Sequence, residues 1–202
     1  MVGGPRRGTS ADWVVLGLGN PGAEFRHTRH NLGAEVVETL AGRWGQRLRS
    51  ERGTRATVTQ ARLGGVSVVL AVPQTYMNDS GLAAAALVRR FGPLPVDHVV
   101  VVHDELDLPV GRVKVKVGGG TAGHNGLRSI NAHLHDDAYV RVRVGIGKPP
   151  GRRLGVDHVL SAGDKGEREA LSVAVETAAD AVQTIVEQGA EAAMTRFNAE
   201  PV

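Results

Sequence analysis

Cysteine is absent from this chain of 202 residues. That excludes a disulfide framework, a thiolate nucleophile and any zinc site built on sulfur. Aromatic residues are scarce at 3%, so the core has to be assembled mainly from Val, Leu, Ala and Ile. No apolar run approaches bilayer-spanning length, and the longest, near residues 99–102, is of strand size. The basic segment MVGGPRRGTS lacks an apolar stretch behind it, so residues 1–11 read as a flexible tail rather than a signal peptide. Residues 12–202 have the size of one domain with a sizeable core, and a cytoplasmic protein is expected.

Charge is unevenly spread. Residues 164–202 hold eight acidic and three basic side chains, which leaves 21 basic against 13 acidic in the remainder. The first four-fifths of the chain therefore suits a polyanionic partner, although many basic faces are merely solvated.

Strand-like and helix-like patterns interleave. Residues 14–18 read as a buried strand, and residues 32–44 as a helix with Val36, Val37 and Leu40 on one side. Residues 54–61 and 66–72 predict a hairpin across Gly64 and Gly65, with Pro73 stopping its second strand. Asn78 or Ser80 is expected to cap a helix through Leu82, Ala86 and Val88, which Gly92 and Pro93 end. Another buried strand follows at residues 99–103. In RVKVKV and YVRVRVGIG, valines alternate with Arg112, Lys114 and Lys116, and with Tyr139, Arg141 and Arg143. Each predicts a half-exposed strand with cations on its outer face. A helix is expected within residues 123–135, a mobile loop at GKPPGRRLG, and helix over residues 165–187 with a break near Gly189. The pattern predicts a single α/β domain with helices on both faces of a mixed sheet.

GLGNPG at residues 17–22 satisfies the G-x-G-x-x-G pattern of dinucleotide-binding enzymes. That reading requires a helix beginning inside the motif, so that its first amides meet a pyrophosphate. Here AEFRHTRHN intervenes with no helical period, and the apolar helix pattern starts only near Leu32. Glu38 falls within that helix instead of at the end of a second strand. A tight turn presenting Asn20 is the better reading. GGGTAGHNG, in turn, lacks the Gly-Lys-Ser/Thr ending of a P-loop.

Among the histidines, His27, His133, His135 and His158 lie in polar surroundings and read as surface groups. His30 sits at a loop-to-helix junction, where it is either a neighbour of the helix cap or a catalytic base. Residues 103–107, His-Asp-Glu-Leu-Asp, follow the buried strand, where α/β proteins often place function. They could ligate a metal, but consecutive side chains diverge, and a carboxylate orienting a histidine is chemically simpler. Asn20, Asn78 and Asn125 stand in turn or glycine contexts. Their amides suit peptide groups, although capping is the usual employment of asparagine.

Taken together, GLGNPGAEFRHTRHNLG, PQTYMNDSG, HDELDLPVG, KVKVGGGTAGHNGLRSI and RVRVGIGKP closely resemble bacterial-type peptidyl-tRNA hydrolase, in family order across residues 13–198. The resemblance implies a single α/β domain with a twisted mixed β-sheet surrounded by α-helices, monomeric and cytoplasmic, without metal or cofactor. The implied reaction is hydrolysis of the ester between a peptide and the terminal ribose of tRNA, so peptidyl-tRNA is the expected partner. It makes His30 the expected general base and Asp104 the expected group that orients it. It assigns substrate contacts to Asn20, Asn78 and Asn125, with Met77 as their apolar neighbour and Tyr76 and His124 lining the cleft. Lys116 and Arg143, with Lys114 beside them, fall on basic positions expected to grip tRNA phosphate. Two departures stand out: Thr121 and Ala122 replace a common His-Gly pair, and Tyr76 a common phenylalanine. A non-catalytic RNA-binding module is the main rival, but it leaves His30 and Asp104 without work. A nicotinamide enzyme is a more distant third.

Overall fold

The computed structural model describes residues 10–149 and 155–199. Its seven strands are β1 (Trp13–Gly17), β2 (Arg49–Glu51), β3 (Ala56–Leu63), β4 (Val66–Pro73), β5 (Val99–Glu105), β6 (Val113–Val117) and β7 (Val140–Gly145). They form one sheet in the order β2-β3-β4-β1-β5-β7-β6. The central four, β4, β1, β5 and β7, run parallel, and antiparallel strands flank them on both sides. Near-continuous Val, Leu and Ala in β1, β4 and β5 is what strands covered on both faces require.

The helices are α1 (Leu32–Arg43), α2 (Ser80–Phe91), α3 (Asn125–Leu134), α4 (Gly155–Val159), α5 (Lys165–Gln188) and α6 (Ala190–Asn198). Because strand side chains alternate, two cores form. Val15, Leu70, Val102 and Val142 face α1, α5 and α6, while Leu16, Val69, Val101 and Tyr139 face α2 and α3. The predicted hairpin and the helix break at Gly189 both appear.

Several expectations need correction. Neither Asn78 nor Ser80 caps α2: its N-cap is Asp79, without a side-chain bond. Ser80 Oγ instead donates to the Met77 carbonyl at 2.8 Å, closing the 3-10 turn Met77–Asp79 ahead of the helix. Nor is β7 half exposed. Tyr139 and Arg141 are buried: the Arg141 guanidinium lies over the Tyr139 ring and donates to the carbonyls of Gly119 and Gly120. On β6 the outward alternation fails at Val117, which is 44% exposed at the strand end. Ala11, the last residue of the expected tail, is buried, and its N–H donates to the Phe91 carbonyl at 2.9 Å. Residues 1–9, and residues 150–154 of the expected mobile loop, lie outside the described residues.

One contact positions everything above the sheet. The first turn of α1 lies directly on the ends of β1 and β5, where Ala34 N–H donates to the Leu18 carbonyl and Leu18 N–H to the Val102 carbonyl. A Cβ at Gly33 would overlap the Val102 carbonyl oxygen and both backbone polar atoms of Leu18, and one at Gly17 would overlap the Gly33 carbonyl. Gly33→Ala is therefore expected to destabilise the fold by about 3 kcal/mol through overpacking, read as a lower urea midpoint. An unchanged midpoint would show that α1 can lift without cost.

Candidate active site

The carboxyl ends of the parallel strands open into a crevice where the strand order reverses around β1, the usual ligand position in open α/β sheets. The cavity there measures about 680 Å³. Asn20, His30, Tyr76, Met77, Asn78, Asp104, His124 and Asn125 all line it. Between Gly22 and α1 the chain makes two short 3-10 turns, Ala23–Phe25 and Arg29–Asn31, before any α-helix begins. No α-helix therefore begins inside the glycine motif, as the late apolar pattern predicted.

Asp104 is the charge centre. Its side chain is 2% exposed, and its Oδ1 lies 2.9 Å from His30 Nδ1 and 3.0 Å from His124 Nε2. Burial pushes the carboxyl's pKa up, but the two imidazoles outweigh it through charge and hydrogen bonds and hold it well below the usual carboxylate range. An ionised carboxylate only accepts, so the nitrogens facing it carry hydrogen. A neutral His30 in this contact is thereby the Nδ1–H tautomer, with the lone pair of Nε2 left for chemistry. His124 is the Nε2–H tautomer, and its Nδ1 accepts from Leu127 N–H at the start of α3. His103 lies edge-on to His124, and its Nδ1 donates to the Asp104 carbonyl at 2.7 Å. Burial pushes its pKa down to about 3, so it stays uncharged behind the carboxylate. His30, Asp104 and His124 offer ligand atoms within 4.8 Å of one another, a spacing open to a divalent ion. Binding there would require both imidazoles to give up the hydrogens they donate to Asp104.

The amides are oriented as well as placed. Asn31 clamps the backbone of Asn20 from both sides: its Oδ1 accepts from Asn20 N–H, and its Nδ2 donates to the Asn20 carbonyl, both at 2.9 Å. The Asn20 Oδ1 accepts from Met77 N–H at 2.7 Å, which turns the Nδ2 donors away from that contact. Asn125 is set similarly, its Oδ1 accepting from Arg128 at 2.8 Å. Asn78 is exposed on the cleft, and Tyr76, 61% exposed, meets Phe25 edge-on at 6.3 Å.

The three basic positions stand apart from the cavity lining. Lys114 and Arg143 are cross-strand neighbours, as are Lys116 and Arg141. Arg143 does not simply face solvent, because its Nε donates to Glu105 at 3.0 Å. His158, read as a surface group, instead directs Nε2 to the Ile146 and Gly147 carbonyls and helps seat α4. Sequence reasoning missed Asn31, whose only signal was its place beside His30. It also missed the wall formed by Val156 and Val159 of α4 and the following Leu160, in a segment too short to show a period.

Residues 14–202 match the family model described as Peptidyl-tRNA hydrolase. The chain is 45% identical over 199 residues to a peptidyl-tRNA hydrolase of Cutibacterium acnes, covering 94% of this chain and 99% of that one. Identity to the enzyme of that name from Nocardia farcinica is 48% over 195 residues, covering 96% and 99%. A crystal structure of peptidyl-tRNA hydrolase from Acinetobacter baumannii shares the fold with a TM-score of 0.87 at 34% identity, over 95% of this chain and 98% of that one. With sequence and fold matched along nearly its whole length, the chain belongs to the peptidyl-tRNA hydrolase family.

Proposed function

We propose that this protein hydrolyses the ester linking a peptide, or an N-blocked amino acid, to the terminal ribose of tRNA, with His30 as general base. The observation that carries the mechanism is the buried Asp104 carboxylate fixing His30 with its Nε2 lone pair available. A water held by His30 and Asn125 attacks the ester carbonyl while His30 Nε2 takes its proton. Asp104 stays ionised throughout and stabilises the imidazolium that forms. Negative charge on the carbonyl oxygen is met by the Asn20 Nδ2 donors, which the Met77 contact has already oriented. As the tetrahedral intermediate collapses, His30 returns the proton to the departing ribose oxygen, so no net proton is lost. An ester leaves more easily than an amide, and no protein nucleophile is needed.

Asn78, the remaining amide, binds peptide backbone, which makes the enzyme indifferent to peptide sequence. Lys114, Lys116 and Arg143 hold tRNA phosphates, giving salt-dependent and sequence-blind affinity. The protein works as a cytoplasmic monomer that returns tRNA from aborted translation. No described helix is long and apolar enough to cross a membrane.

His30→Ala is expected to slow single-turnover hydrolysis of an N-blocked aminoacyl-tRNA by about 100- to 10,000-fold. Near-normal turnover would sink the base assignment, and tight tRNA binding without turnover by the wild type would favour the RNA-binding module. Hydrolysis should persist in excess chelator; loss restored by a divalent ion would move the His30, Asp104 and His124 cluster to a metal role. Lys116→Ala should lower the slope of log affinity for tRNA against log salt by about one, and leave a small blocked peptidyl ester unaffected. Equal losses on both substrates would remove its phosphate role.

A further inference from the structure

Arg29 is buried directly before His30, yet it does not line the cleft. Its guanidinium is fully engaged. Nε and Nη2 each donate to a carboxylate oxygen of Glu167 at 2.6 Å. Nη1 donates to the carbonyls of His158 at 2.9 Å and Ser161 at 3.1 Å, and to Ser161 Oγ. The Arg29 backbone N–H adds a bond to the Ser161 carbonyl at 3.1 Å. One side chain therefore joins the turn carrying His30 to the end of α4 and to the first turn of α5.

α4 needs such an anchor. It has five residues, none of them buried, which is far below the length at which a helix holds itself in water. Its Val156 and Val159, with Leu160 just after it, nevertheless form a wall of the cleft. At its other side His158 ties it to the end of β7. We infer that Arg29 is a positioning residue: it clamps the α4 wall to the His30 turn, so that the surface receiving the substrate keeps a fixed spacing from the base. A planar fork reaches Glu167 together with the His158 and Ser161 carbonyls; a lysine ammonium, as a point donor, would hold one side and release the other. This inference rests on the hydrolase reading for its kinetic consequence, while the clamp itself is a statement about α4.

The test uses the full chain with Arg29→Lys and, separately, Glu167→Gln, which sets an amide donor against the arginine. Amide exchange over residues 155–161 should quicken about tenfold in both, with β1 and β5 unchanged. KM for an N-blocked aminoacyl-tRNA should rise about tenfold. kcat should stay within about threefold, and its pH profile should keep its midpoint, because the His30–Asp104 pair is untouched. A role confined to stability would lower the melting point and leave KM alone, and that outcome overturns the inference. So does unchanged exchange in α4. Should Arg29→Lys fail to fold, Glu167→Gln decides alone, since loss of the α5 carboxylate lets the guanidinium turn away from the α4 end while the arginine itself remains. An inactive wild type would overturn the hydrolase reading only, and the exchange result would still judge the clamp.

Discussion

Backbone meets backbone where α1 lands on β1 and β5, with only hydrogen between Gly33 and the polar atoms of Leu18 and Val102. A residue with any side chain would stand the helix off by the width of a methyl group. The turn leading into α1 carries Arg29, His30 and Asn31, so their distance from the sheet is set by that contact. His30 consequently meets Asp104 at hydrogen-bond distance from 74 positions away, and Asn31 reaches back to Asn20. Packing of main chain thus sets the spacing of His30, Asp104 and Asn20, and side-chain hydrogen bonds set their orientation.

Asp104 illustrates how a buried charge is sustained without a cation of fixed sign. Two imidazoles donate to it, while the neutral ring of His103 donates to its backbone carbonyl. Each donor removes part of the desolvation cost that a lone carboxylate would carry. Because His30 and His124 share one oxygen, the acceptor that orients His30 also fixes the N-cap of α3, and with it Asn125. The cleft groups are thus coupled through a single acceptor.

What was legible in the sequence follows from the range of the interaction that decides it. The β3–β4 hairpin, the Gly189 break and the delayed start of α1 are written in neighbouring residues, and the structure has them. His30, Asp104 and the three asparagines could be singled out because turns and strand ends mark them locally, and blocks in family order gave them roles. Arg141 was misread, since alternation with valine predicts solvent. Its acceptors are carbonyls some 20 residues upstream that no local pattern reveals. Arg29 was invisible for the same reason, with partners 129 to 138 positions away. Five residues of α4 carry no period at all.

The end of α6 has a consequence for how this sheet meets its surroundings. Asn198 offers Oδ1 to Val115 N–H and Nδ2 to the Val115 carbonyl, both at 2.8 Å. One side chain thereby imitates the main chain of an eighth strand and occupies the pairing groups of the outermost one. A stray β-segment seeking to lengthen the sheet at β6 would first have to evict the helix that supplies the imitation. At the opposite border β2 has only three residues, two of them exposed arginine and serine, too short and too polar a template to recruit another chain. Both borders of the sheet are closed to growth, one by mimicry and one by brevity.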